Sequence, residues 1–272
     1  MTKMGNVWYN MNDDDGNYAQ HARYWDWSGH DRTEEHEYWL SYAAKYGKNV
    51  LIPMCAWGET GAYMAERGFN VTAFDITPEM IAEGKKRYGK VPGLALYEGD
   101  VTDFEFDIPP VDFCFSMDFG HILTIEGIQK ALTCIAGHMR TGGCLAIETT
   151  FRKPGAKSDY TPTQTFRPLK QLYPHLKVWK TGDTRNDAKT GRCTIAQTFY
   201  AEHEDGHIES FGHAFYLQSY SRREWRAALK KCGFGVIKNG RREPRAGYGG
   251  GDTIEAVKIA KEVSPCDRSE SP

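Results

Sequence analysis

Apolar and polar positions follow two periodicities through the first half of the chain. Val50 to Pro53 is a short apolar run, and Val71 to Phe74, Leu94 to Tyr97, Val111 to Met117 and Cys144 to Thr149 repeat it. Runs of that length between turn signals predict buried strands. The stretches between them have helical spacing. Thr33 to Tyr46 is amphipathic, with Thr33 as an N-cap candidate and Glu34 and Glu35 behind it. Thr60 to Arg67 predicts a helix that Gly68 ends in a left-handed cap. Thr77-Pro78-Glu79 opens another, with proline at a tolerated first-turn position. Ile122 to Met139 predicts a helix closed by Arg140-Thr141-Gly142-Gly143. This alternation predicts an α/β fold, a parallel sheet covered by helices.

The pattern changes at Arg152. Residues 153–190 are rich in Pro, Lys, Thr and Gly and show no clean period. Residues 193–201 and 207–217 read as two strands joined at Glu204-Asp205-Gly206, an Asp-Gly hairpin signal. Ser221 to Lys231 reads as a helix stopped by Gly233, and Gly235 to Asn239 and Thr253 to Ala260 as two last strands. The expected organisation is an N-terminal lid segment over 1–46, a core over 47–151, an insertion over 152–217, the rest of the core over 218–262 and a disordered tail over 263–272.

Composition narrows the function classes. The chain has 272 residues and a formal net charge of −2, which gives no basic footprint for nucleic acid. The apolar runs are too short to span a bilayer, and no apolar signal segment opens the chain. Seven cysteines are scattered without CxxC pairing, as suits a reducing, cytoplasmic setting. His203 and His207 flank a predicted turn with no third ligand near, so no metal site is expected.

The chemistry-bearing residues collect at the predicted carboxyl ends of strands. In an open α/β sheet that edge holds the ligand. Asp75 ends the second strand, where a carboxylate can accept from both hydroxyls of a ribose or, alternatively, cap the following helix. Met54, Ala56 and Gly58 form a loop whose backbone can approach a ligand closely, and Trp57 lies within it. Ile76 and Met80 are candidates to flank a base. After the fourth strand comes Ser116-Met117-Asp118-Phe119-Gly120-His121. His121 is the preferred proton acceptor because imidazole titrates near neutrality. Arg152, Tyr160, Arg185, His213 and Tyr216 can reach an acceptor from the insertion, and an arginine there suits a carboxylate-bearing substrate.

The element order and residues 50–149 resemble class I S-adenosylmethionine-dependent methyltransferases. The first loop, Ile52-Pro53-Met54-Cys55-Ala56-Trp57-Gly58, stands in the register of the family's glycine-rich loop, with Ile52 where an acid is usual and Ala56 in place of the central glycine. Its wording is slightly similar to thiopurine methyltransferases. The second half better resembles N-methyltransferases of glycine and amino sugars, in which an antiparallel hairpin insertion lids the site. The resemblance implies a Rossmann-like, seven-stranded, mostly parallel sheet with helices on both faces. It implies S-adenosylmethionine held by Tyr18, the Met54–Gly58 loop, Asp75, Ile76, Met80, Asp100, Val101 and Met117, with Asp100 on the adenine amine. His121, Asp118 and Tyr24 would serve catalysis. Trp25 would join the insertion residues around a small-molecule acceptor, an amine first, with O, S and C acceptors open. A monomer or homodimer is expected. Two other functions stay open: transfer or cyclisation of the cofactor's aminocarboxypropyl arm, and non-catalytic cofactor sensing.

Overall fold

A computed structural model describes residues 2–4, 7–9, 22, 32–117, 119–153, 155, 157–166, 177–241 and 251–260. Tyr18, Tyr24, Trp25 and Asp118 lie outside the described residues, as does the expected tail. In chain order, β1 (Thr2–Met4) pairs with β2 (Val7–Tyr9) as a short antiparallel ladder. Helix α1 (Thr33–Tyr46) leads into β3 (Asn49–Pro53), α2 (Glu59–Ala65), β4 (Asn70–Asp75), α3 (Pro78–Tyr88) and β5 (Leu94–Glu98). Then come β6 (Val111–Ser116), a single 3-10 turn (Phe119–His121), α4 (Ile125–His138) and β7 (Met139–Thr149).

The chain enters the main sheet in its middle. The seven strands, once β12 (Phe234–Arg241) and β13 (Asp252–Lys258) are included, run in the order β12-β13-β7-β6-β3-β4-β5. β3 pairs in parallel with both β4 and β6, and β13 alone runs against its neighbours. After β5 the chain crosses back to the other side of β3, so the connections after β3 and β6 leave the sheet in opposite directions. A crevice opens between them at the carboxyl edge, the switch point where open α/β sheets take ligands.

Both faces of this sheet are covered, which explains its unbroken apolar runs. Alternate side chains of one strand serve two cores. Val50 and Ile52 pack with Trp39, Met64 and Ile81 under α1, α2 and α3. Leu51 packs with Leu132, Trp225 and Leu229 under α4 and α5 (Arg222–Lys231). Trp39 stacks on Phe115 with ring centroids 4.5 Å apart. Helix ends carry their expected signals: Thr124 caps α4 by accepting from the Gly127 N–H, Ser221 and Glu224 form a capping box on α5, and Gly68 is left-handed at φ 81°. Thr33 does not cap α1; it is the first helical residue and Arg32 takes the cap position. No helix among the described residues is long and apolar enough to cross a membrane.

Residues 153–190 hold more order than their composition suggests. They contribute β8 (Asp159–Phe166) and β9 (Lys177–Asp187), which join β10 (Arg192–Glu202) and β11 (Ile208–Gln218). The result is a four-stranded antiparallel sheet, order β11-β10-β9-β8. The expected hairpin is its β10–β11 half, in unbroken register from Arg192↔Gln218 to Glu202↔Ile208. β9 has no clean alternation because both of its faces are partly covered. His203 and His207 close the β10–β11 turn, where the His203 N–H donates to the His207 carbonyl.

Candidate active site

The loop after β3 is built around Asp75. The Ala56 N–H donates to Asp75 Oδ2 at 2.8 Å, and the Thr77 N–H to Oδ1 at 3.0 Å. The Cys55 N–H bonds the Phe74 carbonyl and the Gly58 N–H the Cys55 carbonyl. The backbone turns this tightly by placing every second residue in the left-handed region: Met54 at φ 58°, Ala56 at 50° and Gly58 at 79°. Two of those residues are not glycine, a cost of about 1–3 kcal/mol each that clusters at ligand sites. Gly58 also admits Leu96, whose Cδ2 would lie 2.6 Å from an added Cβ.

Trp57 and Met80 are buried side chains next to this loop. They are 2% and 1% exposed and form a cluster with Ala22, and the Arg87 guanidinium sits 3.9 Å from the Trp57 ring centroid. α3 approaches so closely that a Cβ on Gly84 would meet the Trp57 carbonyl at 2.3 Å. Both large side chains are therefore packed core beside the loop. The Val101 side chain is core, in one cluster with Phe74 and Phe104. Ile76 is the reverse case: a large apolar side chain, 60% exposed, directly after Asp75. Asp100 accepts from both the N–H and the hydroxyl of Thr102 through Oδ1, which fixes its carboxylate beyond β5.

Across the crevice, the turn after β6 meets the second sheet. Phe119 is fully buried beside Trp225, which pins the turn, and Met117 packs half-buried against the Trp39 core. β11 packs over Gly120, with Leu217 the nearest side chain to it. His121 lies 5.3 Å from the Phe215 ring, and Phe215 lies 5.0 Å from His213. Protein surrounds His121 although part of its edge stays accessible. Burial pushes its pKa down to about 4, against a partial opposing pull from the Asp75 carboxylate. His213 is pushed down to about 3 by burial first, then by the charges of His121 and Lys180. Neither imidazole titrates near neutrality, as the sequence alone suggested for His121; both are neutral at pH 7.

The insertion candidates divide by sheet face. Side chains alternate across a strand, and Phe215, His213, Gln197 and Lys180 share the face turned to His121. Tyr160, Arg185 and Tyr216 stand on the other face. There the Tyr160 hydroxyl reaches Asp183 at 3.4 Å, Arg185 lies 5.7 Å from the Tyr160 ring, and Arg192 lies 5.1 Å from the Tyr216 ring. Arg152 is a strut: its guanidinium donates to both Glu224 oxygens at 3.1 and 3.0 Å and to the Thr190 carbonyl. It ties the start of the insertion to α5. Of the five, His213 alone shares the face toward His121.

Sequence reasoning missed Glu148, Lys180, Gln197 and Phe215. Glu148 is buried at the carboxyl end of β7, one residue beyond the Ser116↔Ile147 pair. An acid closing the apolar run Cys144-Leu145-Ala146-Ile147 was its only signal. The other three depend on which sheet face turns inward. Among the described residues no three His, Cys, Asp or Glu side chains gather as metal ligands.

This geometry agrees with what the chain is similar to. Residues 50–143 match the family described as methyltransferase domain. The matched stretch runs from β3 into β7 and includes both Asp75 and His121. A malonyl-[acyl-carrier protein] O-methyltransferase from Pectobacterium atrosepticum is 29% identical over 106 residues. That match spans 39% of this chain and 40% of the relative's length. Among solved structures, the amino pentose methyltransferase CalS10 of Micromonospora echinaspora is 17% identical, with a TM-score of 0.66 over 94% of this chain and 100% of that one. The sugar N-methyltransferase KedS8 of a Streptoalloteichus species is 15% identical, with a TM-score of 0.65 over 96% and 97%. At such identities the likeness concerns the fold.

Proposed function

We propose that the protein transfers a methyl group from S-adenosylmethionine to the amine of a small molecule. The observation that carries the reading is the crevice: a left-handed loop tied to Asp75 on one wall, and a neutral imidazole under a second sheet on the other. The residues present fit the cofactor. A carboxylate has about four acceptor positions, and Asp75 at the end of β4 is the acceptor proposed for the ribose hydroxyls. Exposed Ile76 offers an apolar surface for an adenine, Asp100 an acceptor for its amine, and the Met54–Gly58 backbone a cradle for the methionyl arm. When bound, S-adenosylmethionine supplies an activated methyl on a sulfonium.

What this chain contributes is placement. The 3-10 turn and the facing sheet would hold an acceptor beside Met117 at roughly 3–3.5 Å from the reacting carbon, in line for displacement. Phe215, Leu217 and Phe199 exclude water there. Neutral His121 accepts a hydrogen bond from an N–H of the acceptor and so orients the amine lone pair. With a pKa pushed to about 4 it is a weak base. The attacking amine therefore arrives neutral, and the product's proton leaves to water. The amine preference draws support from the sugar N-methyltransferase likeness and from an acceptor-only imidazole. Residues 1–46 and 152–217 are proposed as the cover over the acceptor.

Incubation with S-adenosylmethionine and a panel of primary and secondary amines tests this. Release of S-adenosylhomocysteine with a methylated amine is expected. Methylthioadenosine as the product would replace methyl transfer by aminocarboxypropyl chemistry.

A further inference from the structure

A second cavity lies at the other end of the main sheet, where α4 ends and β7 begins. It is open-mouthed, with a volume of about 650 Å³, between the segment from Asp103 to Pro110 and the last turn of α4. Small-molecule sites span roughly 300–1,000 Å³. α4 has 14 residues, so about 20 Å of helix separates this end from the His121 turn. The cavity is therefore no part of the crevice. Its walls are aromatic: the His138 ring stacks on Phe104 at 4.7 Å, and Phe106 lies 5.3 Å from Phe104. The imidazole is held in place, with Nε2 accepting from the Phe106 N–H at 3.1 Å and Nδ1 2.9 Å from the Cys134 carbonyl. The uncommitted charges are negative. Asp103 and Glu105 are exposed, and among the described residues their carboxylates hold no hydrogen bond or ion pair. Arg140 also lines the cavity, but its guanidinium donates to Asp112 and to the Thr141 and Tyr46 carbonyls. Gly137 is an independent sign. It sits in the last turn of α4, is not left-handed, and a Cβ there would meet nothing within 4 Å among the described residues. Glycine is the poorest helix former after proline, and packing supplies no reason for one here. Its effect is to leave the mouth of the cavity clear.

We infer that this cavity is a second ligand site, built for a small organic ammonium with an apolar body. Half-buried Phe106 offers ring surface, which attracts a cation within about 6 Å of its centroid. Asp103 and Glu105 supply the countercharge from the rim. Ile108 and Met139 give the apolar body a surface to cover. A carboxylate or phosphate ligand would meet repulsion from the same two acids. The site does not depend on the methyl-transfer reading, because none of its residues belongs to the crevice.

The test uses the full chain with S-adenosylhomocysteine present and phenyltrimethylammonium as the probe. That cation has no N–H and no nitrogen lone pair, so it cannot serve as a methyl acceptor. Calorimetry should show saturable binding that weakens with added salt. Benzoate, with the same ring and the opposite charge, should not compete. Replacing both acids, Asp103→Asn together with Glu105→Gln, should weaken binding by at least about 10-fold, as expected when two charges near a surface cation are removed. Gly137→Leu should fill the mouth and abolish binding. Its thermal midpoint should stay at or above that of the wild type, because leucine favours the helix and nothing crowds the position. Absence of saturable binding to the wild-type protein overturns the inference. So does competition by benzoate, or binding that persists unchanged in Gly137→Leu or in the double acid variant, since the ammonium would then sit elsewhere.

Discussion

The parallel and antiparallel sheets use their side chains in opposite ways. In the parallel sheet, strands such as β3 and β6 are buried on both faces, and each face serves a separate apolar core. In the antiparallel sheet, the buried apolar groups are small: Val178, Phe199, Ala201 and Phe211 on one face, Ala196 and Ala214 on the other. Between them stand Lys180, Asp183, Gln197, Thr198 and His213. The first sheet is a scaffold whose chemistry lies at its edge, in loops. The second carries its chemistry on its face. A fixed cofactor suits the first arrangement, and a polar acceptor that must be discriminated suits the second.

That contrast can be broken experimentally. The largest effect should come from Asp75→Ala. It removes an ionised acceptor for two hydroxyls and also the partner of the Ala56 N–H. Affinity for S-adenosylhomocysteine, read by calorimetry, should fall by about 10²–10⁴-fold. A folded variant with normal affinity would remove the cofactor from this edge.

Next come matched cavities in the two sheets. Phe115→Ala should cost about 3–5 kcal/mol of global stability in denaturant unfolding, because it empties the stack under Trp39. Phe199→Ala should act locally, since its cluster is small. Hydrogen exchange should show lost protection in β9 to β11 while S-adenosylhomocysteine still binds. Equal global losses would mean that the two sheets fold as one unit.

His121→Ala probes the seam between them. Turnover should drop by about 10²-fold, the low end for a group guiding a proton, with cofactor affinity unchanged. The pH profile of the wild-type enzyme should show no His121 inflection near neutrality, because that pKa is pushed to about 4. Stability gives the matching sign. Below pH about 6.5 the unfolded chain binds protons at His121 and His213 that the folded chain refuses. Stability is therefore fully present above that pH. It declines through the window from about 6.5 to about 4 for His121 and about 3 for His213. Replacing both histidines by glutamine should flatten the decline in thermal unfolding between those limits.

The smallest change should follow Arg152→Met. Its ion pair with Glu224 is partly exposed, with side chains 29% and 37% accessible, so screening limits it to about 1 kcal/mol. If the strut were instead an acceptor contact, turnover would fall much further than stability.

The sequence by itself determined the parallel sheet. Short apolar runs, a left-handed glycine after α2 and proline at the start of α3 are local signals, and covering on both faces makes those runs continuous. It also set Asp75, the Met54–Gly58 loop and His121 at or just beyond strand ends, the edge on which the proposed site lies. Tertiary structure alone decided the rest. β9 alternates poorly because both of its faces are partly buried, so no periodicity marked it. A one-residue step flips a strand's side chains, and only the register of four strands showed that His213 and Lys180 face His121 while Tyr160, Arg185 and Tyr216 face away. Trp57 lay in the loop as expected, yet its direction depended on how closely α3 could pack over Gly84. The proton affinity of His121 depended on burial beneath a sheet that begins nearly forty residues later in the chain, and no local reading carries that information.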